Sequence, residues 1–106
     1  MERDKKQIAL DIALTFAAQE GSTRIVRELL DAGANIHVGE DQPLLWAAEN
    51  GRTATVEFLL AAGSDPQGDR ALRHAAQNGH METVRALFEW ADRHKPGSGD
   101  TPSPAP

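Results

Sequence analysis

Apolar residues recur along the chain at helical spacing, in short stretches separated by polar residues and glycines. Leu44, Ala47 and Ala48 lie at positions i, i+3 and i+4, which places them on one side of a helix. This spacing predicts a helix over about residues 43–50, and the same spacing in Val-Glu-Phe-Leu-Leu predicts a second helix over about residues 53–62. A glycine follows each stretch, where the positive φ that often ends a helix has no steric cost. The pattern therefore predicts a pair of short helices.

This pair occurs three times, at offsets of 30 and then 28 residues. The copies align from Ala13, Pro43 and Ala71. The residues that all copies share are Leu14, Leu44 and Leu72; the pairs Ala17-Ala18, Ala47-Ala48 and Ala75-Ala76; Gly21, Gly51 and Gly79; Val26, Val56 and Val84; and Leu29, Leu59 and Leu87. A helix pair cannot bury its own apolar stripe, so the copies must stack on one another.

The repeats predict one domain followed by a tail. A chain of 106 residues has room for a single domain, which we assign to residues 1–95. Its repeats span approximately residues 11–41, 42–69 and 70–95. Residues 96–106 are rich in Pro, Gly and Ser and have no apolar anchor, so we predict a disordered tail.

The first and last helices are predicted to be longer than the others. Ile8 and Ile12 are spaced i, i+4, which indicates that the first helix begins early, within MERDKKQIALDIAL. Ala91 stands where the earlier copies have a glycine, so the last helix should continue until Pro96. Trp90 replaces an alanine of the earlier copies and is predicted to cover the exposed end of the stack.

Composition narrows the function classes. The net charge is −5, and the chain lacks the basic surplus that neutralises nucleic-acid phosphates. Without cysteine there is no disulfide, thiol catalysis or cysteine-bound zinc. No apolar run approaches the roughly 20 residues of a membrane helix. We therefore expect no nucleic-acid partner, no membrane span and a cytoplasmic location.

Signals of catalysis are weak throughout. None of the four histidines has a metal-binding partner at the required spacing, and no glycine-rich phosphate loop or serine nucleophile motif occurs. His80 occupies a repeated position, which favours a structural role. We expect no catalytic residue, metal or cofactor, and no enzymatic activity.

The repeated residues resemble those of the ankyrin repeat. PLLWAAENGRTATVEFLLAAGS from Pro43 is similar to the middle of that family's pattern, and Gly79-His80 matches its Gly-His dipeptide. The resemblance covers approximately residues 11–92. It implies an all-α solenoid of three helix–turn–helix repeats.

The chain departs from the family pattern in two ways. Thr15, Leu45 and Arg73 stand where ankyrin repeats have a histidine that makes hydrogen bonds. The period is also three to five residues shorter than the family's 33. The shortening falls in the loops, where ankyrin repeats carry β-hairpins, so we expect clipped loops with little or no β-structure.

The resemblance further implies binding of a protein partner through loop tips and the concave surface of the first helices. The positions that correspond to this surface are Phe16, Gln19, Glu20, Glu40, Asp41, Trp46, Glu49, Asn50, Asp69, Arg70, Arg73, His74, Gln77 and Asn78. For most of these residues the alternative is plain solvation of an exposed face.

Three of these residues precede the alanine pairs and would form a ladder across neighbouring helices. They are Phe16, Trp46 and His74. One interpretation is an aromatic strip for partner binding. The other is that the rings complete the core, which is favoured for Phe16 and stays open for Trp46.

The leading functional interpretation is a rigid protein-interaction module without catalysis. Acidic residues lie towards the first two repeats, and Arg70 and Arg73 belong to the third, so we expect a partner with a basic segment. We expect a monomer, with an end-to-end dimer as the alternative. Two further functions stay open: a structural protein that associates with itself, and a dedicated regulator or inhibitor of one enzyme.

Overall fold

A computed structural model describes residues 2–94 of the chain, with side chains from residue 4. The elements are α1 (Glu2–Glu20), α2 (Thr23–Asp31), α3 (Val38–Glu49), α4 (Thr53–Ala61), α5 (Arg70–Gln77) and α6 (Met81–His94). The described range contains no strand, which confirms the all-α prediction. The predictions for Lys95 and for the tail at 96–106 lie outside the described residues.

The helices form two layers of a short solenoid that measures 58 × 29 × 20 Å. Helices α1, α3 and α5 lie side by side in one layer, and each packs against its own partner helix, α2, α4 or α6, in the other. The alanine pairs allow the first layer to pack closely, because Ala47, Ala48 and Ala75 are fully buried between neighbouring helices. Larger side chains at repeated positions, such as Leu59, fill the space between the layers.

Helix α2 ends in a hydrogen-bonded glycine motif that also ends α4. The amide of Gly33 (φ +112°) donates to the carbonyl oxygen of Leu30, and the amide of Ala34 donates to that of Leu29. These two bonds satisfy carbonyls that a helix end otherwise leaves unpaired. The same pair of bonds closes α4 at Gly63. The chain therefore turns sharply after each second helix of the first two repeats.

The last helix lacks this stop and continues to His94, as Ala91 predicted. Trp90 is half-buried against the core, and its ring stacks on the His94 ring with centroids 4.2 Å apart. The Trp90 ring instead faces back towards Leu60 and Ala61 of α4. It lies at the boundary between the last two repeats, so the prediction that it covers the exposed end of the stack is wrong.

The loop before the second repeat contains a left-handed turn. Gly39, Glu40 and Asp41 all have φ near +60°, so the regular right-handed part of α3 begins after Asp41. This is close to the start at residue 43 that the sequence predicts. Positive φ is costly for residues other than glycine, so contacts of the turn must hold Glu40 and Asp41 in place.

Hydroxyl pairs link the second helices of adjacent repeats. The Thr23 and Thr55 hydroxyl oxygens are 2.6 Å apart, and those of Thr53 and Thr83 are 2.7 Å apart. Thr55 and Thr83 are almost completely buried. Because buried hydroxyls are costly without a partner, these pairs satisfy groups that the stacking removes from water.

Candidate partner-binding surface

An open apolar groove of about 290 Å³ lies between α1 and α3. One wall consists of Ile8, Ile12 and Phe16, which are 56%, 52% and 55% exposed. Val38 and Trp46 form the other wall. Exposed side chains of this size are individually unremarkable, but a contiguous row of them is typical of an interaction site.

The row arises because α1 carries two apolar stripes. Leu10 and Leu14 face the core, and Leu14 is fully buried. Ile8, Ile12 and Phe16 repeat every fourth residue on another side of the same helix. The core can cover only one stripe, so the second stays exposed.

Phe16 and Trp46 meet at the end of the groove, with ring centroids 6.3 Å apart and planes at 82°. This edge-to-face arrangement is favourable for aromatic rings. The interpretation of Phe16 as a core residue is wrong, because more than half of the side chain is exposed. Trp46 combines the two interpretations, because it packs against the core and also lines the groove.

His74 occupies the third position of this ladder but lines a different cavity. That cavity holds about 190 Å³ and is formed by Arg70, Arg73, His74 and Gln77 on α5. Its lining is polar, so the apolar groove does not continue into the third repeat.

The polar candidates surround the ends of the first helices. Glu20, Glu49, Asn50, Gln77 and Asn78 are exposed, and Gln19 is half-buried. The side-chain amides of Asn50 and Asn78 donate to the carbonyl oxygens of Trp46 and His74. These asparagines therefore satisfy carbonyl oxygens in the last turns of α3 and α5.

The basic candidates of the third repeat lie beside acids. Nη1 of Arg70 lies 3.7 Å from Oε1 of Glu40, and Nε of Arg73 lies 3.4 Å from Oδ1 of Asp69. Both pairs are exposed and contribute little to stability. They do reduce the positive charge that the sequence predicts at this end of the surface.

Asp41 is buried, which corrects its assignment to the exposed loop surface. Oδ1 accepts hydrogen bonds from the Ser64 hydroxyl and the Asp65 amide, both at 3.1 Å, and lies 2.7 Å from Nδ1 of His37. Oδ2 accepts from Nε2 of Gln67 at 3.0 Å. The carboxylate thus ties the loop after α4 to the left-handed turn before α3.

These contacts change the pKa of Asp41. Burial acts to raise it, but the hydrogen bonds from Asp65, His37 and Ser64, together with the charge of His37, outweigh burial and hold the pKa below its ordinary value. The carboxylate is therefore charged at neutral pH and belongs to the structure of the loops.

Asp11 makes the corresponding contact in the first repeat. Its Oδ1 accepts hydrogen bonds from the Asn35 amide and from Nε2 of Gln7, both at 2.8 Å. The sequence carried the signal, because Asp11, Asp41 and Asp69 each lie six residues before an alanine pair. Neither this aspartate pattern nor the place of Ile8, Ile12 and Val38 in the groove was predicted from the sequence.

Chemically, the groove offers apolar contact. Of its three polar members, Asp11, Thr15 and Gln42, the first two are engaged in the fold. The Asp11 carboxylate accepts from the Asn35 amide, and the Thr15 hydroxyl donates to the Asp11 carbonyl oxygen. Among the described side chains, no three acidic or histidine residues converge as metal ligands would. Within residues 2–94, no helix combines the length and the apolar character of a membrane span.

The two-layer stack of helix pairs defines a solenoid of repeats, a class in which each unit contacts only its neighbours. A family model described as "Ankyrin repeats (3 copies)" matches residues 14–100. The chain belongs to the ankyrin repeat family. Ankyrin repeats are generally protein–protein interaction modules.

Curated relatives support the assignment. The chain is 34% identical over 81 residues to the ankyrin repeat and KH domain-containing protein mask-1 of Caenorhabditis elegans, covering 74% of this chain and 3% of the relative. It is 35% identical over 83 residues to the interferon antagonist OPG040 of vaccinia virus (strain Western Reserve), covering 73% and 29%. It is 33% identical over 85 residues to the probable E3 ubiquitin-protein ligase XBOS31 of Oryza sativa subsp. japonica, covering 72% and 19%. The chain thus spans less than a third of each relative. No solved structure was found to match it.

Proposed function

We propose that the protein binds a segment of a partner protein in the apolar groove between α1 and α3, and that it does not catalyse a reaction. The observation that carries the proposal is the row of Ile8, Ile12 and Phe16, each more than half exposed and facing Val38 and Trp46 across the groove. Covering these side chains would remove apolar surface from water, which is the main driving force of protein association.

The edge of the groove favours a partner with apolar residues flanked by basic ones. Glu20 and Glu49 are exposed near the ends of α1 and α3. Among the described side chains, neither takes part in an ion pair. Acids at the edge of an interface increase association rates with basic partners more than they increase affinity.

The walls of the groove are helical, and helical walls favour binding without large rearrangement. The Asp11 carboxylate accepts a hydrogen bond from the Asn35 amide, which ties α1 to the loop after α2. A binding surface that is ordered before association loses less entropy when it forms the complex. A regulator or inhibitor of one enzyme would be a particular case of this function, and a cytoplasmic location stays a prediction from the sequence.

Selection of peptides from a random display library on the wild-type protein tests the proposal. Trp46→Ala and Phe16→Ala should each weaken the selected peptides about tenfold or more, because buried aromatic contacts dominate many interfaces. Phe88→Ala is the matched control, since Phe88 is 63% exposed on α6, away from the groove. Circular dichroism confirms that each variant is folded. Peptides that bind wild type and both groove variants equally would contradict the proposal.

The basic character of the partner is tested separately with Glu20→Lys and Glu49→Lys. Both should lower the association rate at low salt, and the effect should diminish as salt screens the charges. Unchanged rates would remove the basic segment from the proposal while leaving the apolar groove in place.

A further inference from the structure

Within residues 4–94, the third repeat ends in an apolar surface that no other described residue covers. Met81 and Phe88 are 65% and 63% exposed, and Ala76 on α5 is also exposed. In the second repeat the residues equivalent to Ala76 and Phe88 are Ala48, which is fully buried, and Leu60, which is 4% exposed. We call the surface of Ala76, Met81, Val84 and Phe88 the trailing face.

The first repeat has a corresponding surface at the opposite end of the stack. Ile25 is 48% exposed and Ala13 is exposed. Their equivalents in the second repeat, Thr55 and Pro43, are almost completely buried against the first repeat. We call the surface of Ala13 and Ile25 the leading face.

We propose that the trailing face of one copy stacks on the leading face of a second copy, head to tail, in the register that already joins the repeats within the chain. Such a contact would continue the interface between repeats from one copy to the next. Residues 30 apart are equivalent in the first and second repeats, and residues 28 apart in the second and third. Each contact between repeats therefore identifies the pair of residues that would meet between copies.

The threonine pairs give the first such position. Thr23 meets Thr55, and Thr53 meets Thr83. The equivalent position between copies places Met81 against Ile25 of the second copy. Met81 and Ile25 occupy the positions that hold threonines at the internal boundaries, and both are apolar. Their contact would bury apolar surface and leave no hydroxyl without a partner.

The second position concerns charge. Arg27 lies over the Phe58 ring, 5.4 Å from its centroid, across the boundary between the first and second repeats. The same register places Arg85 against Glu28 of the second copy. Opposite charges thus meet where the boundary between the first and second repeats has a cation and a ring, which favours this orientation of the two copies. Glu28 also lies 3.5 Å from Arg24 in its own helix, and this exposed pair contributes little.

The third position concerns space. A Cβ built on Gly21 would lie 2.7 Å from Cδ of Arg52, and one on Gly51 would lie 2.5 Å from Nδ1 of His80. A Cβ on Gly79 meets nothing within 4 Å. The register places the small side chain of Ser22 from the second copy over Gly79, so the backbones can approach as they do inside the chain.

Association of two different faces leaves one face of each type open at the ends of the assembly. A head-to-tail dimer therefore still has a leading and a trailing face, and further copies can add. The average mass should rise steadily with concentration from the 11.5 kDa of one chain. A dimer of trailing faces would stop at two copies.

Sedimentation equilibrium of the full chain across a wide concentration range tests this inference. Met81→Asp disables the trailing face and Ile25→Asp disables the leading face; each should raise the apparent dissociation constant about tenfold or more. Ile12→Asp is the matched control, since Ile12 is similarly exposed but lies in the groove. It should associate like wild type. Circular dichroism confirms that each variant is folded.

Mixing the two disabled variants gives the decisive result. Each retains one intact face, so an equimolar mixture should form a dimer containing one copy of each and nothing larger. In the same way, Arg85→Glu should weaken association, and mixing it with Glu28→Arg should restore it. The inference is wrong if wild type stays monomeric throughout the concentration range. It is also wrong if Ile25→Asp still dimerises alone, which would indicate contact between trailing faces, or if only Ile12→Asp loses association.

Discussion

The second and third repeats share the same pattern of core residues, but equivalent positions on their outer sides differ sharply in burial. Leu60 is 4% exposed whereas Phe88 is 63% exposed, and Ala48 is fully buried whereas Ala76 is exposed. The local helix pair is alike in both. The difference comes from the neighbouring repeats, because among the described residues the second repeat is covered on two sides and the third on one. In this chain a residue's contribution to stability therefore depends on which repeat it occupies as much as on its type.

Truncation of equivalent residues should show the largest difference. Leu60→Ala should reduce the free energy of unfolding by about 2–5 kcal/mol, because it leaves a cavity between repeats. Phe88→Ala should reduce it by less than about 1 kcal/mol, because the ring is mainly in solvent. Urea denaturation measures both. Equal losses would mean that the third repeat is covered in solution, which the sedimentation experiment would then explain.

A smaller difference is expected at the glycines after the first helices. Gly51 and Gly79 have φ of +71° and +77°, so alanine at either position should cost about 1–2 kcal/mol in backbone strain. At Gly51 the new Cβ would also meet the His80 ring, whereas at Gly79 it meets nothing. We expect Gly51→Ala to be the more destabilising by about 1 kcal/mol.

A double-mutant cycle separates the two contributions at Gly51. If the His80 ring causes the additional loss, Gly51→Ala should cost less in a His80→Ala background, approaching the value for Gly79→Ala. A cost that does not change would attribute the whole effect to the backbone.

The aspartates before the alanine pairs give a further contrast. Asp41→Asn removes the charge from a carboxylate with four hydrogen-bonding neighbours and should cost about 1–3 kcal/mol. Asp69→Asn should change stability by no more than about 0.5 kcal/mol, since Asp69 is exposed beside Arg73. Chemical denaturation at neutral pH compares them.

The pH dependence of stability provides a second test of the role of Asp41. The pKa of Asp41 is lowered in the folded protein, so its contribution is fully present above the unfolded value of about 3.9 and is lost as the pH falls through the folded value. Wild type should therefore lose more stability than Asp41→Asn as the pH falls below about 4. Parallel pH profiles would show that the Asp41 carboxylate is not the group responsible.

Much of the fold could be predicted because the same residue pattern occurs three times along the chain. The alanine pairs, the glycine stops and the extended last helix depend on local preferences, and the structure has all of them where the sequence indicated. The left-handed turn at residues 39–41 could not be predicted in this way. It depends on Asp41 meeting Ser64 and Asp65, which are distant along the chain.

The candidate surface was harder to predict for a similar reason. Trp46 was identified from its place before an alanine pair, but Ile8 and Ile12 were interpreted only as the start of a helix. Whether an apolar residue on α1 is core or surface depends on which of the two stripes the second repeat covers. That choice belongs to the packing of α1 on α3, and the spacing on a single helix does not determine it.

The threonine pairs have a consequence for how such a chain could grow. The second repeat alone carries a threonine at both positions, Thr53 and Thr55, so a tandem duplication of it would create a new boundary with a complete hydroxyl pair. Duplicating the first repeat would bury the Thr23 hydroxyl against Ile25, and duplicating the third would bury that of Thr83 against Met81. Lengthening by gene duplication would therefore succeed most readily from the middle of the stack.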